Sequence, residues 1–419
     1  GTAGNNRIPS GQMAQTYTVS TTNWVNDFNS FWAASKTMAN PDLKWETTVT
    51  RNIGIDFTAK GGRLNGTIDL YKNNTKDLLI LVPVSGTGYD NQYRNMGETQ
   101  NKGLEVTVNW VALDRKNVGL TIGANIGFNK NKIISLGVMD NFPSYSGWAS
   151  SEIENDYWVA VGGRVGQMLG YRSAGRYEVA DFSGYDDVTG NWILKDGVPD
   201  ATSVIGTLRP GSMKLMNLTE GDNMIDGSDV TIIGDANPKH TGGFNLSGRV
   251  FNFDINAIFN WSYGNDIYNA NKIEYTSTSK YASRNMISEM SEGKRWNNLL
   301  PDGTISNDPA QLAKMNENTT MWSPYMKKFV FSDWAVEDGS FLRLNTLTLG
   351  YTVPASLTRK VKIQNLRVYV TGYNVFCLTN YTGFDPEVST RRKTPLTPGV
   401  DYSAYPKSRL MVFGLNLNF

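Results

Sequence analysis

From Met411 to Phe419 the alternate residues are Met411, Phe413, Leu415, Leu417 and Phe419, and between them stand Val412, Gly414, Asn416 and Asn418. A β-strand sends successive side chains to opposite faces. As a strand, this segment is apolar on one face to its last aromatic residue and turns small and amide-rich on the other. A soluble protein must cover such an apolar stripe. A strand of an outer-membrane barrel leaves it in hydrocarbon and turns the other face to water.

The same two-sided pattern recurs along the chain. Ile53, Ile55 and Phe57 alternate with Asn52, Gly54 and Asp56; Leu104, Val106, Val108 and Trp110 alternate with Glu105, Thr107 and Asn109. Leu120, Ile122, Ala124, Ile126 and Phe128 are interleaved with Thr121, Gly123, Asn125, Gly127 and Asn129. A period-two template predicts about ten strands, near 46–59, 62–76, 99–113, 117–131, 164–178, 239–250, 251–264, 338–353, 363–376 and 407–419. Short turns at 60–62, 114–117 and 250–252 alternate with long links at 77–98, 132–163, 179–238, 265–337 and 377–406. Short turns on one rim and long loops on the other are the pattern of outer-membrane barrels, whereas long structureless links are uncommon in compact soluble domains. One link, at 281–296, carries a pattern that predicts a loop helix.

Charge and composition narrow the function. Forty basic and 39 acidic residues give a formal charge of +1, so no global field calls for nucleic acid. No apolar run approaches the length of a membrane helix, but barrel strands need only about 9–11 alternating residues. A single histidine, His240, and a single cysteine, Cys377, rule out an intrachain disulfide and a zinc site built from several such ligands. A Ser-His-Asp or Cys-His arrangement would need His240, which lies in a Pro-Lys-His-Thr stretch that opens a strand. The adjacent acids Asp186 and Asp187 sit in a loop where acids are common. No catalytic residue is assigned, and no enzyme is expected.

Several stretches together resemble the SusC/RagA family of TonB-dependent outer-membrane transporters, in its C-terminal portion. They are Gly1-Thr-Ala-Gly-Asn-Asn-Arg-Ile8, Asn40-Pro-Asp-Leu-Lys-Trp-Glu-Thr47, Asn101-Lys-Gly-Leu-Glu105, Ile233-Gly-Asp-Ala-Asn-Pro-Lys-His-Thr-Gly-Gly-Phe244, Asp338-Gly-Ser-Phe-Leu-Arg-Leu-Asn345 with Leu349-Gly-Tyr-Thr-Val-Pro354, Asn380-Tyr-Thr-Gly-Phe-Asp-Pro-Glu387, and Tyr405-Pro-Lys-Ser-Arg409. The resemblance implies an all-β fold: a transmembrane antiparallel β-barrel of roughly 22 strands, of which residues 1–419 are the second half, with long extracellular loops. An N-terminal plug and the first barrel strands would then lie outside this chain; Gly1 to Arg7 reads as the middle of a turn, as expected if more protein precedes it. The resemblance further implies import of glycan fragments or oligopeptides across the outer membrane of a Gram-negative bacterium. Its implied partners are a SusD-like surface lipoprotein, the TonB complex reached through the N-terminal part, outer-membrane lipid, and a second transporter–lipoprotein pair. Phe419 takes the role of the barrel-assembly signal by the same similarity.

Other groups extend or rival that reading. Asn217-Leu-Thr-Glu-Gly-Asp-Asn-Met-Ile-Asp-Gly-Ser-Asp229 looks like a degraded calcium loop, with Asn217, Asp222, Asp226 and Asp229 as hard oxygen ligands for Ca²⁺; the alternative is an acidic solvated turn. Trp110, Phe128, Trp261, Tyr263 and Tyr351 stand near stripe ends, where aromatics anchor at the lipid–water boundary. Tyr145, Trp148, Trp158, Tyr185, Trp192, Tyr281, Trp322 and Tyr325 occupy loops, where packing is favoured over ligand stacking. Arg391-Arg392-Lys393 reads as a solvated cluster. The runner-up fold is a soluble secreted β-sandwich that binds carbohydrate, whose apolar faces would meet in a core.

Overall fold

The computed structural model describes residues 1–5, 11–20, 31–84, 86–149, 152–279, 283–390 and 395–419. The predicted cluster 391–393, Tyr281 and part of the first motif lie outside them. The chain divides into two compact units: Gly1–Phe142 with Val159–Val165 and His240–Ile255, and Pro143–Trp158 with Gly166–Lys239 and Asn256–Phe419.

In the first unit the strands β1 (Thr2–Asn5), β2 (Glu46–Ala59), β3 (Leu64–Pro83), β4 (Asn91–Arg115), β5 (Val118–Ser135) and β6 (His240–Val250) lie side by side in chain order. All of their ladders are antiparallel. The stretch Thr2–Asn5, expected as a turn, is therefore a strand, paired with Glu46–Val49. The predicted link 77–98 is also largely strand: β3 has 20 residues and β4 has 25, well beyond what a bilayer requires. The sequence pattern breaks there because the ladder shifts register between Thr75 and Leu79, where Asp77 takes a positive φ of 57°. A bulge of this kind switches the faces of every residue beyond it, so an unbroken period-two template loses the strand at that point.

Across β2 to β5 the register sorts the side chains consistently. Ile53, Leu70, Leu104 and Phe128 form one row; Ile55, Ile68, Val106 and Ile126 the next; Phe57, Gly66, Val108 and Ala124 a third; and Ala59, Leu64, Trp110 and Ile122 a fourth. The opposite face carries rows such as Asn52–Tyr71–Gly103–Asn129 and Thr58–Asn65–Asn109–Gly123. Gly103 is required in its row, because the Tyr71 ring lies across it and a Cβ there would sit 2.5 Å from the Tyr71 hydroxyl.

In the second unit β7 (Phe253–Tyr263, beginning at the boundary), β8 (Phe341–Thr352), β9 (Asn365–Thr379) and β10 (Leu410–Asn418) also follow one another in order. Leu349 pairs with Val370 and Val370 with Phe413; Tyr351 pairs with Val368 and Val368 with Leu415. Met411, Phe413 and Leu415 are 70%, 81% and 60% exposed. The chain does not cover this stripe, so the stripe is not the inner face of a sandwich, and the soluble alternative fails on that point.

The buried cores of this unit lie in the long links rather than in the strands. One joins Tyr177, Phe182, Met213, Leu215, Met290 and Trp322; a second joins Trp148, Tyr157, Met168, Tyr268, Phe331 and Val400. Short ladders hold these cores, among them Asp266–Asn269 paired antiparallel with Val336–Asp338 and parallel with Val400–Asp401. The predicted strand 164–178 resolves into two short pieces of this layer, Gln167–Gly170 and Ser173–Arg176, parted at Tyr171–Arg172, where Tyr171 bridges to Ser332; Gly175, at a positive φ of 84°, lies at a register shift within the second. The predicted helix 281–296 is absent from its described residues, which hold only a single turn at Ser288–Met290 and reach Gly293 at φ 79°. Its apolar residues Met290 and Trp296 are buried without helical spacing. A helix forms instead at Pro309–Met315, where the Asp308 carboxylate accepts from the amides of Ala310 (2.8 Å) and Gln311 (3.0 Å) and Pro309 opens the first turn.

Candidate transport surface

The polar face of the first unit is a ladder of amides and hydroxyls. Asn131 and Asn129 each donate to the Asn101 side chain (3.0 and 3.3 Å), and the Tyr71 hydroxyl donates to Asn129 (3.0 Å). Thr48 and Thr75 share a hydrogen bond of 2.9 Å, as do Thr348 and Thr371 on the second unit's strands. Asn345 donates to Asn260 at 2.6 Å. The same face also carries Asp56, and Asp69 directly opposite Glu105, so it is hydrophilic with a few carboxylates among its amides and hydroxyls.

The aromatic residues divide by environment. Trp110 and Tyr263 stand 40% and 52% exposed at strand ends, with Lys60 and Lys239 beside their rings at 6.0 and 5.9 Å. Trp148 and Trp322 are buried in the two loop cores, with the Trp148 indole donating to the Tyr268 hydroxyl. Tyr185 and Trp192 pack on one another at 5.6 Å across a hairpin. Tyr145 and Tyr325 are exposed. Trp158 lines a cleft of about 640 Å³ together with Glu152, Tyr171, Lys328, Phe329 and Phe331. The Glu152 carboxylate accepts from the Phe329 amide at 2.6 Å and ties the two walls together.

The four residues of the expected calcium loop lie on one turn, but their oxygens are already engaged. Asp229 is buried, and its carboxylate accepts from the amides of Leu218 (2.7 Å), Thr219 (3.0 Å) and Asp226 (2.9 Å). Burial pushes that carboxyl up, and the three amides outweigh burial and hold it below the usual carboxylate range. Asp226 accepts from the Ser228 amide and hydroxyl, both at 2.7 Å, which lowers it likewise. The Asn217 amide donates to the Asp222 carbonyl (2.7 Å), and Asp222 accepts from the Met224 amide (3.3 Å). Among the described residues no three acidic, histidine or cysteine side chains converge as a metal cluster. The loop caps its own backbone with these carboxylates.

The other expected groups have plain placements. His240 opens β6 with its ring 5.6 Å from that of Phe128. Cys377 lies on β9 opposite Arg343. Phe419 is 79% exposed at the end of the apolar stripe.

Sequence reasoning matched the C-terminal motifs without giving their purpose. Three of them converge on one buried clasp. Arg343, 2% exposed, places Nη2 2.8 Å from Asp385 Oδ1 and Nε 2.9 Å from Glu387 Oε2. Lys407 joins at 2.8 Å from Glu387 and 3.6 Å from Asp385. The Asn374 side chain accepts from Arg343 as well. The motifs at 338–345, 380–387 and 405–409 thus hold β8, the link after β9 and the approach to β10 to one another. The signal was present as an isolated arginine inside an apolar strand pattern (Phe341-Leu-Arg-Leu344), which demands a buried acidic partner. The motif at 40–47 is structural too: Asn40 donates to the Tyr93 carbonyl (2.8 Å), and Asn95 exchanges hydrogen bonds with the Lys44 backbone (2.9 and 2.8 Å).

Residues 6–375 match the family described as TonB dependent receptor-like, beta-barrel. The chain belongs to that family. TonB-dependent receptors are outer-membrane β-barrels, and the exposed apolar rows and amide-lined face are the two sides of such a wall. Among curated relatives, TonB-dependent receptor P3 of Formosa agariphila is 29% identical over 91% of this chain and 35% of its own length. TonB-dependent receptor SusC of Bacteroides thetaiotaomicron is 26% identical over 93% of this chain and 34% of its own. The chain therefore spans about a third of these relatives. Among solved structures, that of the RagAB peptide transporter superposes over the whole chain and 40% of its own with a TM-score of 0.70 at 23% identity, a likeness of fold. The barrel strands of this SusC/RagA-like receptor thus have the expected all-β, antiparallel architecture.

Proposed function

We propose that the chain is the C-terminal barrel part of an outer-membrane importer of the SusC type, acting with a SusD-like lipoprotein on the cell surface and drawing force from TonB. The cargo is an oligopeptide or a glycan fragment. The observation that carries this reading is the two-faced wall: apolar rows on one side of the ladders from β2 to β5, and on the other a hydrophilic face of amides and hydroxyls with the carboxylates of Asp56, Asp69 and Glu105 among them. A hydrophilic oligomer can slide along such a face with its hydrogen bonds exchanged one at a time. The cleft lined by Trp158, Tyr171 and Phe331, with Glu152, Glu154 and Lys328 also in its lining, offers ring faces and charges of both signs. That combination suits a zwitterionic peptide better than a neutral sugar, and relatedness in fold to a protein described as a peptide transporter agrees. The test is uptake by cells that carry the full-length protein. Labelled oligopeptides are expected to enter in a manner abolished by a proton uncoupler and by loss of the neighbouring lipoprotein. Uptake insensitive to both refutes energised import, and uptake of oligosaccharides alone refutes the peptide assignment.

A further inference from the structure

One row of the first unit breaks the apolar face. Directly beyond Ile53–Leu70–Leu104–Phe128, the register brings Arg51, Lys72, Lys102 and Lys130 side by side across β2 to β5. All four are exposed. Lys132 follows one step further along the same face of β5, opposite Gln100. Like charges directly opposite one another across a ladder are unfavourable, and among the described residues none of these five makes an ion pair. Elsewhere in this unit lysines do find acids: Lys36 pairs with Asp90 and Lys44 with Asp77. The nearest carboxylate in the direction of the loops, Glu98, is four residues from Lys102 along β4 and accepts from Asn74 at 2.9 Å.

The height of the row is equally specific. From Leu64 beside the short turn to Lys72 is eight residues of β3, about 27 Å of strand and about 21 Å of height at the usual barrel tilt. An outer-membrane apolar band is about 25 Å tall. The cations therefore stand where hydrocarbon ends and headgroups begin, on the rim away from the short turns at 60–62, 116–117 and 251–252. In outer-membrane barrels that rim faces the cell exterior.

We propose that Arg51, Lys72, Lys102 and Lys130 form a binding belt for the phosphate groups of an outer-leaflet glycolipid. Four unpaired cations spaced by about 5 Å match an anionic headgroup that carries more than one phosphate, and the apolar rows below them receive its acyl chains. The inference rests on the outer-membrane reading given above. Its consequence is a defined lipid contact on the β2–β5 wall, which neutralises the row that self-repulsion would otherwise destabilise.

The test uses the full-length transporter in phosphatidylcholine nanodiscs doped with bis-phosphorylated lipid A or with its dephosphorylated form, and counts retained glycolipid by native mass spectrometry. Each basic side chain at an anionic surface is worth about fivefold in occupancy. Preference for the phosphorylated lipid is expected to reach at least a hundredfold, and the Arg51→Gln/Lys72→Gln and Lys102→Gln/Lys130→Gln pairs are each expected to lose about 25-fold. Peptide uptake should be unchanged. Displacement by millimolar inorganic phosphate would show a free-anion site and overturn the lipid assignment. Equal retention of both lipids, or unaltered retention by both paired variants, overturns the belt while leaving the outer-membrane reading intact. Retention that depends instead on a second copy of the transporter marks the row as a protein interface and overturns the belt too. Absence of the wild-type protein from outer-membrane fractions overturns both readings.

Discussion

Replacing Arg343 with methionine tests the clasp most directly. The substitution keeps roughly the volume and removes the charge, leaving Asp385, 4% exposed, and the partly exposed Glu387 without their arginine. Breaking a buried ion pair by removing one partner costs about 3–5 kcal/mol. Lys407 remains 3.6 Å from Asp385 and 2.8 Å from Glu387 and offsets part of the loss, which points to the lower end, about 3 kcal/mol. Lys407 is itself about half exposed, so Lys407→Ala should cost at most about 1 kcal/mol. Hydrogen exchange of the full-length protein in detergent reads this locally. Amides of 341–346 and 381–390 should lose about a hundredfold in protection in Arg343→Met and less than tenfold in Lys407→Ala. Arg343→Met combined with Asp385→Leu should recover much of the loss, because the unpaired carboxylate goes with its partner. A loss under fivefold in Arg343→Met, or equal damage from Lys407→Ala, refutes the reasoning.

Three further outcomes are expected. Burial raises the Asp156 carboxyl from 3.8 to about 6, against the pull of its Ser146 hydrogen bonds. The folded protein thus holds that proton more tightly than the unfolded chain, and the loop layer should lose about 3 kcal/mol as pH rises from about 4 to about 6; hydrogen exchange across that window should show the slope, and Asp156→Asn should flatten it. Asp229→Ala leaves the amides of Leu218, Thr219 and Asp226 without their acceptor, a loss of roughly 1–3 kcal/mol, visible as new protease cleavage within 217–229. A calcium chelator should not reproduce that cleavage in the wild-type protein, and if it does, an ion occupies the loop after all. Deleting Phe419 should lower the outer-membrane yield of heat-modifiable protein at unchanged synthesis, whereas an unchanged yield would remove its role as an assembly signal.

Much of the wall was readable from residue order alone. Alternation such as Leu104-Glu-Val-Thr-Val-Asn-Trp110 is a local property, set by the two-residue pleat, and β2, β5, β6, β7 and β8 fall where the pattern puts them. The stripe Met411–Phe413–Leu415, and with it the contrast between a lipid-facing wall and a soluble sandwich, is equally local. The pattern failed where geometry departs from the pleat. The bulge near Asp77 concealed the outer half of the β3–β4 hairpin, the supposed strand parts at Tyr171–Arg172 where Tyr171 bridges to Ser332, and the supposed helix keeps only one turn at Ser288–Met290.

Tertiary structure alone decided the rest. Sequence separation hides that Arg343 meets Asp385, that Trp148 reaches Tyr268, and that the long links bury the larger cores. It also hides the cation row, since Arg51, Lys72, Lys102 and Lys130 are each unexceptional in their own strand and become a belt only when four registers align. The calcium-like loop shows the converse. Its acids were spaced as ligands, yet the fold turned their oxygens onto backbone amides, because a buried carboxylate is satisfied by whichever donors the folded chain brings within reach.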